Sequence, residues 1–377
     1  MAQERHAYVD AARGFAMLLV FLSHFGEGYF AAEPARRWTL EMIGMVASPT
    51  FIILSGFLVG LLATTSPRTF PTFRLKLLDR GLFLLVIGHV LCAGAHAWMY
   101  GGFVHALSLA YITDTIAICV IIGPFLVNRW RGEARLICAG AMYLGAWGLS
   151  VFWMPAELWV RVGKDFLLGS IDPVGILYGY PIAPWLAIYL LGSAVGDYAG
   201  RAHCSGNERE VNAVLLRAAI GSLFAALMVK GAYKAAAFFY PLDGSSLLYE
   251  LSNPFTRVPP SPVYVGLFAG LGLLLIWALH QLHRSEICRS MINTIATIGR
   301  ASLFAFILQY YLYLVVIYSL RAVLPGPAIA WYVLSVMGLY AACAVWDRRG
   351  WNRWLTVGFS TVSVPARITP APQWTRT

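Results

Sequence analysis

The apolar segment YVDAARGFAMLLVFLSHFGEGY near the start of the chain carries four ionisable side chains, Asp10, Arg13, His24 and Glu27, in a stretch otherwise suited to lipid. On a helix, the step from Arg13 to His24 is a rotation of about 1,100°, so the two side chains project within about 20° of each other. They share a face, but a rise of about 16 Å along the axis keeps them apart. Each therefore serves a different part of a long ligand or a different structural need. Asp10 lies three residues before Arg13 and Glu27 three after His24, spacings at which helical side chains meet. A carboxylate beside an imidazole fixes the ring in one tautomer and stabilises its protonated form, which suits the pair to proton abstraction. Gly26 and Gly28 flank Glu27, and a helix ending there would loosen that geometry. Both basic groups also have structural readings. Arg13 can snorkel to an interface, and His24 can hydrogen-bond one helix to another. Ionisable groups are costly inside a membrane, so each begins as a functional candidate.

Further along, FRLKLLDR places Arg74, Lys76 and Arg80 in one short basic segment. His89 and His96 are seven residues apart on one helical face, and Lys230 and Lys234 are four apart. No Asp or Glu stands at ligand spacing beside the histidines, so no metal site is expected. Asp114, between Thr113 and Thr115, either faces a site or pairs with Arg300 or a lysine.

The elements that must hold these residues follow from composition. Of 377 residues, 59% are hydrophobic and only 12% charged, about half the charged share of a soluble domain. The apolar residues fall in blocks of roughly 20, long enough as helices to cross about 30 Å of hydrocarbon. Helices are the default there, because a segment in lipid must satisfy its own backbone hydrogen bonds. The expected fold is an all-α integral membrane bundle of about ten transmembrane helices. The spans are expected near 8–30, 38–63, 81–100, 104–127, 136–154, 180–199, 218–240, 263–281, 291–320 and 326–346. They form one domain over 1–354, and the segment 355–377 is a cytoplasmic tail expected to be disordered. The first span carries Arg13 and His24 in its apolar core, which suits a retained helix better than a cleaved signal.

The net charge of +10 would point to nucleic acid in a soluble protein; here the basic residues sit in short connections, and topology accounts for them. With the N-terminus inside, nineteen Lys and Arg fall on the inner side against six outside, which are Arg36, Arg37, Arg161, Lys164, Arg257 and Arg321. Both termini are therefore expected in the cytoplasm, with Arg36 and Arg37 the main exceptions. The six cysteines lie in spans or in inner loops, so no disulfide is expected. Two long outer loops, 155–179 and 241–262, are rich in Pro, Gly and aromatics and are placed to roof an outward cavity.

An Asp, then Arg, ten residues and His in a first helix resembles the signature of the acyltransferase-3 family, here Asp10, Arg13 and His24. SPTFIILSGFLVG looks like that family's next motif, around Ser55 and Gly56. PIAPWLAIYLLGSAVG at 181–196 and IGRASLFAFILQYYLY at 298–313 look more like the heparan-glucosaminide acetyltransferase group. Together they indicate the wider transmembrane acyltransferase superfamily, over residues 5 to about 320. The resemblance implies acyl-CoA, most simply acetyl-CoA, as co-substrate, and a carbohydrate or glycolipid acceptor at the extracytoplasmic side of a bacterial-type inner or plasma membrane. It also implies surface O-acetylation, with Arg13, Arg74, Lys76 and Arg80 toward the donor and His24 as general base. Coenzyme A carries a diphosphate and a 3′-phosphate, which clustered Arg and Lys bind through charge-assisted hydrogen bonds. The basic segment is equally read as the positive side of a positive-inside pair. Two positions depart from the pattern. Relatives commonly have His where this chain has Gln309, and their closely spaced arginines are replaced by the looser FRLKLLDR. The rival from another class is a proton-coupled secondary transporter of a small anionic or sugar-like solute, in which Asp10, Arg13, His24 and Asp114 would form a relay; the chain lacks the repeated halves that such folds usually show.

Overall fold

The computed structural model describes residues 7–98, 101–170, 179–240, 246–284, 288–324 and 326–359. Apart from two isolated bridges, regular structure among them is helical. Ten helical stretches are long and apolar enough to cross a membrane, so the chain is an all-α polytopic membrane protein. The α1-start end of the bundle is called the near end below, and the opposite end the far end.

The centre is the parallel pair α3 (Ala47–Thr65) and α10 (Ile182–Cys204), the two most thoroughly buried crossings. Lipid tails are as apolar as leucine, so helices in a bilayer associate through close packing of small residues. Gly56 and Gly60 on α3 face Gly192 and Gly196 on α10. A Cβ at any of the four would stand 2.0–2.2 Å from a carbonyl oxygen of the partner helix. The SGFLVG segment therefore brings two backbones together, and Ser55 donates back to the Phe51 carbonyl at 2.7 Å. Replacing Gly60 by Leu is expected to cost several kcal/mol, because the obstacle is backbone and cannot rotate away. Gly140, with nothing within 4 Å of a built Cβ, should accept Leu within about 0.5 kcal/mol. Thermal unfolding in detergent checks this; equal melting temperatures for the two variants would refute the close-packing argument.

Around this pair the boundaries depart from those expected, each for a local reason. The second crossing is two helices, α2 (Pro34–Gly44) and α3, broken at Met45 and Val46. The third begins at Phe70 rather than 81: α4 (Phe70–Phe83), a π-helical stretch (Leu84–Gly88) and α5 (His89–His96) form one rod. Hydropathy marks where lipid begins, whereas the helix starts earlier, so the basic segment is helical and not a loop. The fourth is split into α6 (Phe103–Leu107) and α7 (Ile112–Arg129), with Asp114 capping the second part at the Tyr111 backbone N–H, 2.8 Å away.

The fifth crossing is α8 (Gly132–Phe152), followed by a short α9 (Leu158–Leu168) in the first long loop. The seventh, α11 (Glu208–Phe239), has 32 residues. At 1.5 Å per residue it is about 48 Å long and overshoots the hydrocarbon. That length carries Lys230 toward its far end, where Nζ donates to the Ser252 carbonyl at 3.0 Å, on α12 (Leu247–Ser252) of the second long loop. The eighth is α13 (Pro262–Arg284).

The expected ninth span also divides. α14 (Arg289–Arg300) is amphipathic and buries Ile292, Ala296, Ile298 and Gly299, while α15 (Ser302–Tyr310) leads through a π-helical stretch (Tyr311–Ile317) into α16 (Tyr318–Leu320). α14 lies against α1 (Ala7–Tyr29) at Gly14 and Gly299, where added Cβ atoms would meet the Ile295 and Asp10 carbonyls. The last crossing is α17 (Ala328–Arg348). Of the expected tail, 355–359 is described and 360–377 lies outside the described residues. Thr356 Oγ1 and the Val357 and Phe359 N–H groups all donate to the buried Asp79 carboxylate on α4.

Candidate active site

α1 remains helical to Tyr29, past both glycines. They are there for contact: a Cβ at Gly26 would meet Leu40 on α2 at 2.8 Å, and one at Gly28 the Tyr313 carbonyl at 2.2 Å. The continued helix brings His24 Nδ1 to 2.9 Å from Glu27 Oε2. The other oxygen, Oε1, is 3.7 Å from Arg37 Nη2, and Arg37 Nε donates to Glu41 Oε1 at 2.6 Å. Beside an ionised Glu27, a neutral His24 would donate through Nδ1 and carry its lone pair on Nε2. Nε2 has no protein partner among the described residues.

His24 lines a cavity of about 630 Å³ at the far end of α1. Val20, Ser23 and Glu27 complete the α1 wall, Arg37, Glu41 and Ser48 come from α2 and α3, and Gly179 and Arg257 from the two long loops, with Tyr180 beside the first. Residues of both loops thus line the cavity. Inside, the Tyr310 ring meets His24 and His96 edge-on, each at 4.7 Å between centroids. His96 donates through Nδ1 to the Cys92 carbonyl at 2.8 Å and packs on Tyr111 at 4.8 Å.

The expected site residues form separate groups. Arg13 Nη1 lies 3.3 Å from Asp10 Oδ1, near the start of α1, and does not line the cavity. On the face between Arg13 and His24 stand Ala16, Met17 and Val20, all buried. Arg74 stacks its guanidinium on Phe125 at 4.7 Å, while Lys76 and Arg80 are exposed on α4. None of the three lines the cavity. Asp114 pairs with His89 Nδ1 at 2.9 Å, whereas Arg300 pairs with Asp347 at 2.7 Å. Gln309 is buried, donates to the Phe306 carbonyl at 3.2 Å and does not line the cavity, so that position is not at the His24 centre here.

Sequence reasoning missed Arg37, Glu41, His96, Arg257 and Tyr310. Arg37 had a signal: it contradicts the charge bias and sits four residues before an acid, a pairing distance on a helix. Tyr310 had none.

The bundle is thus a polytopic membrane protein that opens at one end into a polar cavity with a carboxylate-held imidazole on its wall. Comparison with known families gives the chemistry. Residues 5–224 match the family model described as heparan-alpha-glucosaminide N-acetyltransferase, catalytic, and residues 158–354 match that described as OpgC protein. Each match covers more than half of the chain, which belongs to these families of membrane acyltransferases. No curated protein matches it. His24 and Glu27 fall within the first match, Tyr310 within the second.

Proposed function

We propose that the protein moves an acetyl or other short acyl group from cytoplasmic acyl-CoA to a hydroxyl of a carbohydrate or glycolipid at the extracytoplasmic face. The observation that carries this is His24, held through Nδ1 by Glu27, with Nε2 unpartnered on the wall of a cavity at the far end of the bundle. In this reading Nε2 takes the acceptor proton as the oxygen attacks the thioester carbonyl. Collapse of the tetrahedral intermediate expels the thiolate, which takes up that proton as free thiol. Arg13, ordered by Asp10, and the α4 cations Arg74, Lys76 and Arg80 stand at the near end, where the donor's phosphates would be met. Kinship with the acyltransferase-3 family rests on the Asp10, Arg13 and His24 spacing.

The near end is cytoplasmic in this proposal, with both termini inside a bacterial-type inner or plasma membrane, as the charge bias requires. Acyl transfer from labelled acetyl-CoA to glycan is expected in inside-out vesicles and not in sealed right-side-out ones. The opposite sidedness would overturn the orientation, and solute uptake without acyl transfer would restore the transporter.

Neutralising Arg74, Lys76 and Arg80 together is expected to raise the donor KM with kcat nearly unchanged, since phosphate contacts are alike in ground and transition states. The difference from wild type should shrink at high salt. An unchanged donor KM would remove α4 from the donor site.

A further inference from the structure

Tyr310 occupies the cavity wall between two imidazoles, its ring edge-on to His24 and to His96 at 4.7 Å each. The residue is 4% exposed and lines the cavity, and its hydroxyl has no protein hydrogen-bond partner among the described residues. Three other tyrosines of the bundle have hydroxyl partners. Tyr311 donates to the Leu91 carbonyl at 2.9 Å, Tyr313 shares a hydrogen bond with Ser335 Oγ at 3.1 Å, and Tyr111 donates to the Ala106 carbonyl at 2.7 Å. The helix also changes hand-hold at this point. Its hydrogen bonding turns π-helical at Tyr311, a local irregularity that recurs at functional sites.

Acyl transfer at His24 needs a donor that His24 and Glu27 do not provide, one for the negative charge that gathers on the carbonyl oxygen. Arg37 lies against Glu27 and Glu41, which offset its charge. We infer that Tyr310 is a catalytic residue whose hydroxyl donates a hydrogen bond to the oxyanion of the tetrahedral intermediate. As the acceptor oxygen bonds to the carbonyl carbon, the acceptor proton passes to His24 Nε2 and the carbonyl π pair moves onto the oxygen beside Tyr310. When the C–S bond breaks, that pair re-forms the carbonyl, the thiolate departs, and the proton follows from His24 to sulfur. Tyr310 keeps its own proton throughout. The inference rests on the acyl-transfer reading above.

Tyr310→Phe removes only the hydroxyl and retains both edge contacts, so it separates the donor from the packed ring. Its kcat should fall about 10²- to 10³-fold, the scale of losing one oxyanion donor, while both KM values stay within about twofold and the melting temperature in detergent is unchanged. A Phe variant that turns over at the wild-type rate overturns the inference and leaves the acyl-transfer reading standing. A large rise in acceptor KM with kcat preserved also overturns it, assigning the hydroxyl to ground-state binding. Wild-type protein that transfers no acyl group to any glycan acceptor would instead overturn the acyl-transfer reading, and this inference with it.

Discussion

Replacing His24 by Gln is expected to lower kcat by about a hundredfold or more while the protein inserts and folds at normal levels, the loss typical of a positioned base. Glutamine keeps much of the shape and one hydrogen bond to Glu27, so a histidine that merely joined helices would tolerate it. The structure sharpens this test. His24 makes one polar contact, to a residue on its own helix, and leaves Nε2 unpartnered; a helix-joining histidine would bond across to a neighbour. The pH profile gives a second reading. The neutral imidazole is the base, so protonation removes it and the wild-type rate must fall as pH drops. His24→Gln has no such group and should lose that acid limb along with most of its rate. Purified His24→Gln protein with near-normal transfer would sink the mechanism.

Glu27→Gln should be nearly as damaging, on the order of a hundredfold in kcat. The carboxylate fixes the proton on Nδ1 and stabilises the imidazolium that forms during transfer; a neutral amide can do neither reliably, and can present its N–H₂ to the ring and reverse the tautomer. The two residues act as a unit, so the double variant His24→Gln with Glu27→Gln should be scarcely worse than His24→Gln alone. Multiplicative losses would show that Glu27 acts elsewhere, and Arg37, 3.7 Å away, would be the first place to look.

That pair was legible because its geometry is internal to one helix. A spacing of three residues in an apolar run places His24 over Glu27 whatever the rest of the chain does, and the ten crossings were legible for the same reason: lipid leaves a long apolar block no alternative to a helix. The rest of the site depends on which helices become neighbours. Tyr310 reaches His24 from a distant part of the chain, and His96 reaches the cavity because α5 packs beside α15. Neither contact leaves a periodic trace. Gly26 and Gly28 read as a helix end because glycine weakens an isolated helix; the reason for them, close approach by Leu40 and by the Tyr313 backbone, exists only in the assembled bundle. Asp114 was visible as a buried acid, but its choice of His89 over Arg300 was settled by the break between α6 and α7.

The buried run of Ala16, Met17 and Val20 on the face that joins Arg13 to His24 has an electrical consequence. No side chain in it can pass a proton, so this face of the first helix offers no relay between the cavity and the near end. A protein so built is expected to leave ion gradients intact at rest even though it holds charged groups at both ends of one helix. Whatever reaches His24 from the near end along this face must part the apolar run, and a bound donor arm would itself fill the gap it opens. Permeability to protons should therefore be lowest in the empty protein, remain low with donor in place, and rise only in variants such as Met17→Ser that wet the run.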